Sequence, residues 1–220
     1  REQARPRADN GTGNRTAGFG RDSGTMVFLR SVTPADIGPV VQGGGVFLRV
    51  PQMSDFEDWA ELRAASRGFL VPWEPTWPRD DLTRSAFRRR IRRYWRDVRE
   101  DVSYPFFVFR SHDNVLLGGL TLSNIRRGVA QTASLGYWLG QPFARRGYMS
   151  AAVGAVLPFA FDTLGLHRVE AACLPTNAAS IALLRRCGFA EEGYARHYLK
   201  INGEWRDHLL FAILAGDRGD

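Results

Sequence analysis

The stretch GQPFARRGYMSAAVGAV, residues 140–156, sets Arg145, Arg146 and Gly147 at the mouth of what reads as a helix. A helix N-terminus already carries the positive end of its dipole. Two more cations are unfavourable there unless an anion takes the place. A strand that runs into a short loop and then a helix leaves backbone N–H groups without partners. Here they belong to the residues from Arg145 to Ser150, and Gly147 lets a ligand approach because it has no Cβ. Phosphate is the usual occupant of such a terminus. The patterns GxxxxGK[ST] and GxGxxG are both absent from this loop. The run QGGGV at 42–46 precedes a strand rather than following one, so it makes a poor dinucleotide site. The alternative is a solvated basic loop ahead of an ordinary helix.

Two further groups of residues bear on this. Asn177 opens the next helix after a strand, with Ser180 three positions on. As a plain structural device, Asn177 is an N-cap and Ser180 a first-turn residue. The two strand-to-helix junctions, at 139–147 and 174–177, are separated by one helix and one strand. A right-handed crossover between parallel neighbours would bring both to the same edge of a sheet. The other group is the segment RSAFRRRIRRYWRDVRE, with eight arginines, while Phe87, Ile91, Tyr94, Trp95 and Val98 recur at helical spacing. It reads as an amphipathic helix over 83–99. Its basic face is either simply solvated or a contact for RNA or an acidic surface.

The elements that must position these residues follow from pattern. VFLRV from Val46 reads as a strand, and Ser54-Asp55-Phe56-Glu57 as a capping box opening a helix to about Arg67. FLVPWEPTWP is a loop and 83–99 the arginine helix. YPFFVF, VLLGGLTLSN and ASLGYWLG are strands. A helix runs from about Gly147 to Thr163, RVEAACL is a strand, and NAASIALLRRCGF is a helix closed by Gly188. The end of the chain is a hairpin turning at Asn202-Gly203. The order β-α-α-β-β-β-α-β-α-β-β implies an α/β (α+β) mixed sheet with helices on its faces. Residues 1–25 read as a disordered N-terminal extension, because almost nothing there can be buried. Residues 26–45 read as a poorly determined lead-in, and 46–215 as one domain.

Composition narrows the classes. The chain has 220 residues, 44% of them apolar, enough for a sizeable core. Net charge is +7, which favours an acidic partner such as a nucleic acid, a polyphosphate cofactor or a ribonucleoprotein. No apolar run is long enough to span a bilayer, and no signal-peptide pattern opens the sequence. Cys173 and Cys187 form no CxxC, so neither a metal site nor a redox motif is expected. These features fit a cytoplasmic protein, monomer or homodimer.

FLVPWEP, LSNIRRG, LGYWLGQPFARRGYM, HRVEA and PTNAASIALLRRCGFAEEGYARHYLKINGEWRDHLL together resemble the GNAT family of acyl-CoA N-acyltransferases. They are most similar to its ribosomal-protein-alanine N-acetyltransferase branch (RimJ/RimL-like), over roughly residues 46–214. The family's pyrophosphate loop, [Q/R]-x-x-G-x-[G/A], falls on Ala144 to Met149: the central Gly147 is kept, while the first position is Ala and the last Met. The resemblance implies acetyl-CoA as co-substrate and no metal. It implies that the amides of Arg145, Arg146, Gly147, Tyr148, Met149 and Ser150 hold the pyrophosphate. It also implies that the strand around Tyr137, Trp138 and Leu139 pairs with the pantetheine arm, that Asn177 bonds that arm, and that Ser180 lies near the thioester sulfur.

The implied activity is acetylation of the N-terminal α-amino group of a protein, the N-terminal alanine of a ribosomal protein, by direct attack in a ternary complex. The alternatives are acetylation of a small amine, such as an antibiotic or polyamine, and a non-catalytic ribosome- or RNA-binding factor on the same fold. A general base need remove only one readily lost proton. Glu74, between Trp73 and Trp77, is the first candidate, and Glu170 the second. Each has a plainer reading, Glu74 as a solvated loop residue and Glu170 as the partner of an arginine. Ser180 is the candidate acid, with Tyr194 its alternative. Cys187 reads as a buried core residue, so no acyl-cysteine is expected.

Overall fold

The computed structural model describes residues 38–217. The extension expected to be disordered over 1–25 lies outside the described residues, as does most of the lead-in. One sheet is built from β1 (Val40–Gly43), β2 (Val46–Arg49), β3 (Tyr104–Arg110), β4 (Leu116–Arg126), β5 (Thr132–Leu139), β6 (Arg168–Cys173), β7 (Ala190–Ile201) and β8 (Glu204–Leu214). The helices among the described residues are α1 (Phe56–Ala65), α2 (Arg67–Leu70), α3 (Arg84–Arg99), α4 (Tyr148–Pro158) and α5 (Ala178–Arg186). The strands lie in the order β1-β2-β3-β4-β5-β6-β8-β7. β5 and β6 are parallel and the other neighbours antiparallel. This is the mixed sheet that the order of elements implied.

Local chemistry explains most element ends. Thr83 caps α3 by accepting from the Ala86 amide at 3.2 Å. Gly188, at φ +87°, closes α5. Asn202 and Gly203, both at positive φ, turn β7 into β8. Two details differ from the sequence reading. The sheet begins ahead of Val46, because Gly44 and Gly45 at φ +58° and +81° turn β1 back onto β2. A Cβ on Gly44 would come within 2.7 Å of Ala151, so α4 passes close over this hairpin. The residue before α1 is Asp55 rather than Ser54. Its carboxylate is held bidentately by Arg49 of β2 at 2.8 and 2.6 Å and accepts from the Gln52 amide at 2.7 Å.

Two apolar cores sandwich the sheet. On one face α4 and α5 pack over Leu120, Leu122, Leu135, Val169 and Phe211. On the other, α1 and α3 bring Trp59, Phe87 and Ile91 against Phe107, Phe109 and Leu116. The apolar stripe of the arginine helix is therefore core, and its arginines point outward or to its flanks.

Candidate active site

β5 and β6 pair only from Thr132↔Arg168 to Leu135↔Ala171. β5 nevertheless stays bonded to β4 as far as Leu139, and β6 to β8 as far as Cys173. Past Leu135 and Ala171 the two strands part, and a wedge opens between them at their C-terminal ends. The edge of Gly136–Leu139 that faces β6 has no ladder partner there. Because the pair is parallel, both strand-to-helix junctions lie at this end of the sheet, as their spacing had suggested.

The loop after β5 leads the chain to α4. Its Gln141 amide donates to the buried Ser66 hydroxyl at 2.9 Å, which ties the loop to the end of α1. Arg145 and Gly147 both take left-handed backbone conformations, at φ +61° and +82°. Gly147 is the N-cap and brings no side chain to the first turn of α4. The amides of Tyr148, Met149 and Ser150 thus have no partner within the helix. Met149 is 4% exposed and belongs to the core, so a methionine at that loop position presents only its amide. Arg145 and Arg146 are exposed, and among the described residues no carboxylate pairs with them. The residues present fit a pyrophosphate: orphan donors at a helix N-terminus, a left-handed glycine, two free cations, and a slot beside the strand for an extended arm.

At the wedge itself, the Tyr137 and Ser180 hydroxyl oxygens are 2.6 Å apart. Asn177 caps α5, its Oδ1 accepting from the Ser180 amide at 3.1 Å, which leaves its side-chain NH2 free to donate. Burial pushes the Tyr137 phenol up, so it stays protonated. Burial likewise raises the thiols of Cys173 and Cys187, which keeps them neutral and poor nucleophiles. Cys187 is half-buried rather than buried.

The other candidates lie elsewhere. Trp138 alternates with Tyr137 along β5 and so faces the α1 side. There the Arg63 guanidinium lies 4.9 Å from Trp138 and 4.0 Å from Trp77. Arg63 grips both oxygens of Glu74 at 2.7 and 2.8 Å, and the Trp77 indole donates to the same carboxylate at 2.7 Å. Trp77 is thus a hydrogen-bond donor to Glu74 as well as an apolar neighbour. The Glu74 carbonyl accepts from the Asn202 amide at 2.9 Å, so the loop also holds the tip of the β7–β8 hairpin. Glu170 is bonded by Arg168 at 2.9 Å and lies 3.5 Å from Arg126. Tyr194 is on the edge strand β7, separated from β6 by β8, and donates to Asp207 at 2.5 Å. That bond raises its pKa. The structure therefore brings Tyr137, Asn177, Ser180 and the 145–150 loop together, sets Glu74 on the opposite face, and leaves Tyr194 apart.

Arg63 and Ser66 are site residues that the sequence reading passed over. They share with Trp59 and Leu70 the buried stripe of α1 and α2, and two polar residues on such a stripe are the signal that could have found them.

Residues 46–190 match the family described as Acetyltransferase (GNAT) domain. The chain belongs to the GNAT family. It is 36% identical over 178 residues to a Bacillus subtilis (strain 168) protein named "Probable N-acetyltransferase YjcK", covering 81% of this chain and 98% of that one. It is 34% identical over 172 residues to the [Ribosomal protein uS5]-alanine N-acetyltransferase of Escherichia coli (strain K12), covering 77% and 89%. The solved structure of Mycobacterium smegmatis RimJ in complex with CoA-disulfide superposes with a TM-score of 0.77 at 31% identity, covering 83% and 89%. This GNAT protein is therefore an acyltransferase, an acetyl-transferring enzyme of the RimJ/RimL-like branch.

Proposed function

We propose that this enzyme transfers the acetyl group of acetyl-CoA to the N-terminal α-amino group of a protein, the N-terminal alanine of a ribosomal protein. The observation that carries the reading is the wedge between β5 and β6 that ends at the uncapped amides of α4. Acetyl-CoA supplies an activated acyl group on a good leaving thiol. The 145–150 amides with Arg145 and Arg146 would hold its pyrophosphate, the free edge of Gly136–Leu139 its pantetheine arm, and the Asn177 side chain the same arm. The 34% identity to an enzyme named for uS5-alanine acetylation supports the acceptor. The two candidate carboxylates, Glu74 and Glu170, are both held by arginines, which leaves them poorly disposed to bind a polyamine.

Access from two sides supports direct transfer. Tyr137 meets Ser180 of α5 on one face of the sheet, whereas Trp138 lies with Arg63 of α1 and Glu74 on the other. The amine would enter from the α1 side, where the 71–77 loop, tied to the hairpin tip, forms one wall. An α-amino group has an ordinary pKa of about 7.7–8.0, so roughly a tenth is already neutral at pH 7. With the oxygens of Glu74 and Glu170 engaged, we propose that water removes its proton and that Glu74 shapes the acceptor wall. The neutral amine attacks the carbonyl, an amide on the free edge of β5 stabilises the oxyanion, and Ser180 protonates the departing sulfur.

The exposed arginines of α3 fit a contact with ribosomal RNA. Arg84, Arg89, Arg90 and Arg96 pair with Glu57, Asp80, Asp81 and Asp97. Among the described residues no carboxylate pairs with Arg88, Arg92, Arg93 or Arg99.

A screen of peptides beginning with Ala, Ser, Met and Thr, run beside polyamines and aminoglycosides, tests the reading. The Ala peptide is expected to show the highest kcat/KM. A polyamine or aminoglycoside that outperforms every peptide would sink it.

A further inference from the structure

We propose that Tyr137 is a positioning residue for the acyl transfer: its hydroxyl fixes the Ser180 hydroxyl so that the Ser180 proton is directed at the departing sulfur. The inference rests on the acetyl-CoA reading above. Tyr137 stands two residues beyond Leu135, the last residue of β5 paired to β6, and so at the start of the wedge. Ser180 approaches it from the first turn of α5, its backbone fixed by the Asn177 cap. With the cap in place, the hydroxyl torsion of Ser180 is what remains to be set, and the 2.6 Å contact with Tyr137 sets it.

The direction of that bond follows from acidity. A phenol is a stronger acid than an alkyl alcohol, so Tyr137 donates and the Ser180 oxygen accepts. The Ser180 hydrogen is then free to point elsewhere. The Cys173 thiol, raised by burial and so neutral, sets no charge against this arrangement.

The protons balance. The amine nitrogen bonds to the acyl carbon, the C–S bond breaks, and its electron pair stays on sulfur. Ser180 passes its proton to that sulfur while the Tyr137 hydrogen bond stabilises the charge gathering on the serine oxygen. The proton that the new amide nitrogen loses returns through water to Ser180. Tyr137 keeps its own proton throughout.

Calorimetric binding of coenzyme A and of desulfo-coenzyme A, which lacks the sulfur, tests the contact without turnover. The wild type should prefer coenzyme A about fivefold near pH 7, the worth of one ordinary hydrogen bond. The preference should widen at pH 9, where the thiolate is well populated and the bond is charge-assisted. Tyr137→Phe, Ser180→Ala and the double variant should each lose the preference while binding desulfo-coenzyme A as the wild type does. With an Ala-initiated peptide, Tyr137→Phe should lower kcat about 10-fold, short of the about 100-fold that a general acid contributes, and add nothing in the Ser180→Ala background.

A preference that survives Tyr137→Phe overturns the inference. So does a wild type that binds both compounds equally, or a Tyr137→Phe variant that loses desulfo-coenzyme A as well, since a packing role would do that. A wild type that binds neither compound instead overturns the acetyl-CoA reading itself.

Discussion

Glu74 shows how partners set what a residue can do. A carboxylate in a loop beside two tryptophans is a reasonable general base. Here two guanidinium N–H groups and an indole N–H occupy it, and Arg63 is itself buried, with its Nε lacking a partner. Removing the negative charge would leave a buried cation uncompensated. Glu74→Gln is expected to destabilise the fold by about 3–5 kcal/mol, seen as a lower urea midpoint, and to raise KM for the acceptor more than it lowers kcat. An unchanged midpoint together with a kcat that loses its acid limb would assign Glu74 the base role instead.

Among the elements, α3 divides its work between faces. Its apolar stripe completes one core, one flank pairs with Asp80 and Asp81, and the remaining arginines meet solvent. Replacing Arg88, Arg92, Arg93 and Arg99 by glutamine spares every ion pair of the helix. The quadruple variant should bind ribosomal particles more weakly, with a log–log salt slope shallower by about 3–4 units, near one per lost phosphate contact. Turnover of a short peptide should be unchanged, because a peptide reaches the wedge without docking. Loss of peptide turnover at unchanged particle affinity would mean that α3 shapes the acceptor site.

For the molecule as a whole, ligand binding and folding are linked. Acetyl-CoA at about 100 times its Kd should stabilise the native state by about 2.7 kcal/mol, a Tm rise of roughly 5–10 °C for a domain of this size. Gly147→Asp should abolish the rise, since it sets a carboxylate at the proposed pyrophosphate position. The left-handed φ at Gly147 also means that the variant starts from a lower Tm. Its shift on adding ligand, measured by calorimetry, is therefore the diagnostic quantity. An undiminished shift would show that the loop is not the pyrophosphate site.

What the sequence determined by itself was whatever depends on near neighbours along the chain. Asn177 as a cap, Gly188 as a helix stop, the Asn202-Gly203 turn, the core stripe of α3 and the cationic loop at Arg145–Gly147 all follow from spacing and backbone preference. The family resemblance added acetyl-CoA and the roles proposed for the loop amides. The tertiary structure alone decided the rest. Asp55, the residue before α1, has its carboxylate turned to Arg49 on β2 and to the Gln52 amide instead of to the helix. Glu74 found Arg63, and Tyr137 found Ser180 43 positions away, only because the sheet order folds distant segments together. The wedge is of the same kind. Nothing in β5 or β6 alone says that they part after Leu135 and Ala171, because their separation depends on the different partners, β4 and β8, that each strand keeps on its far side.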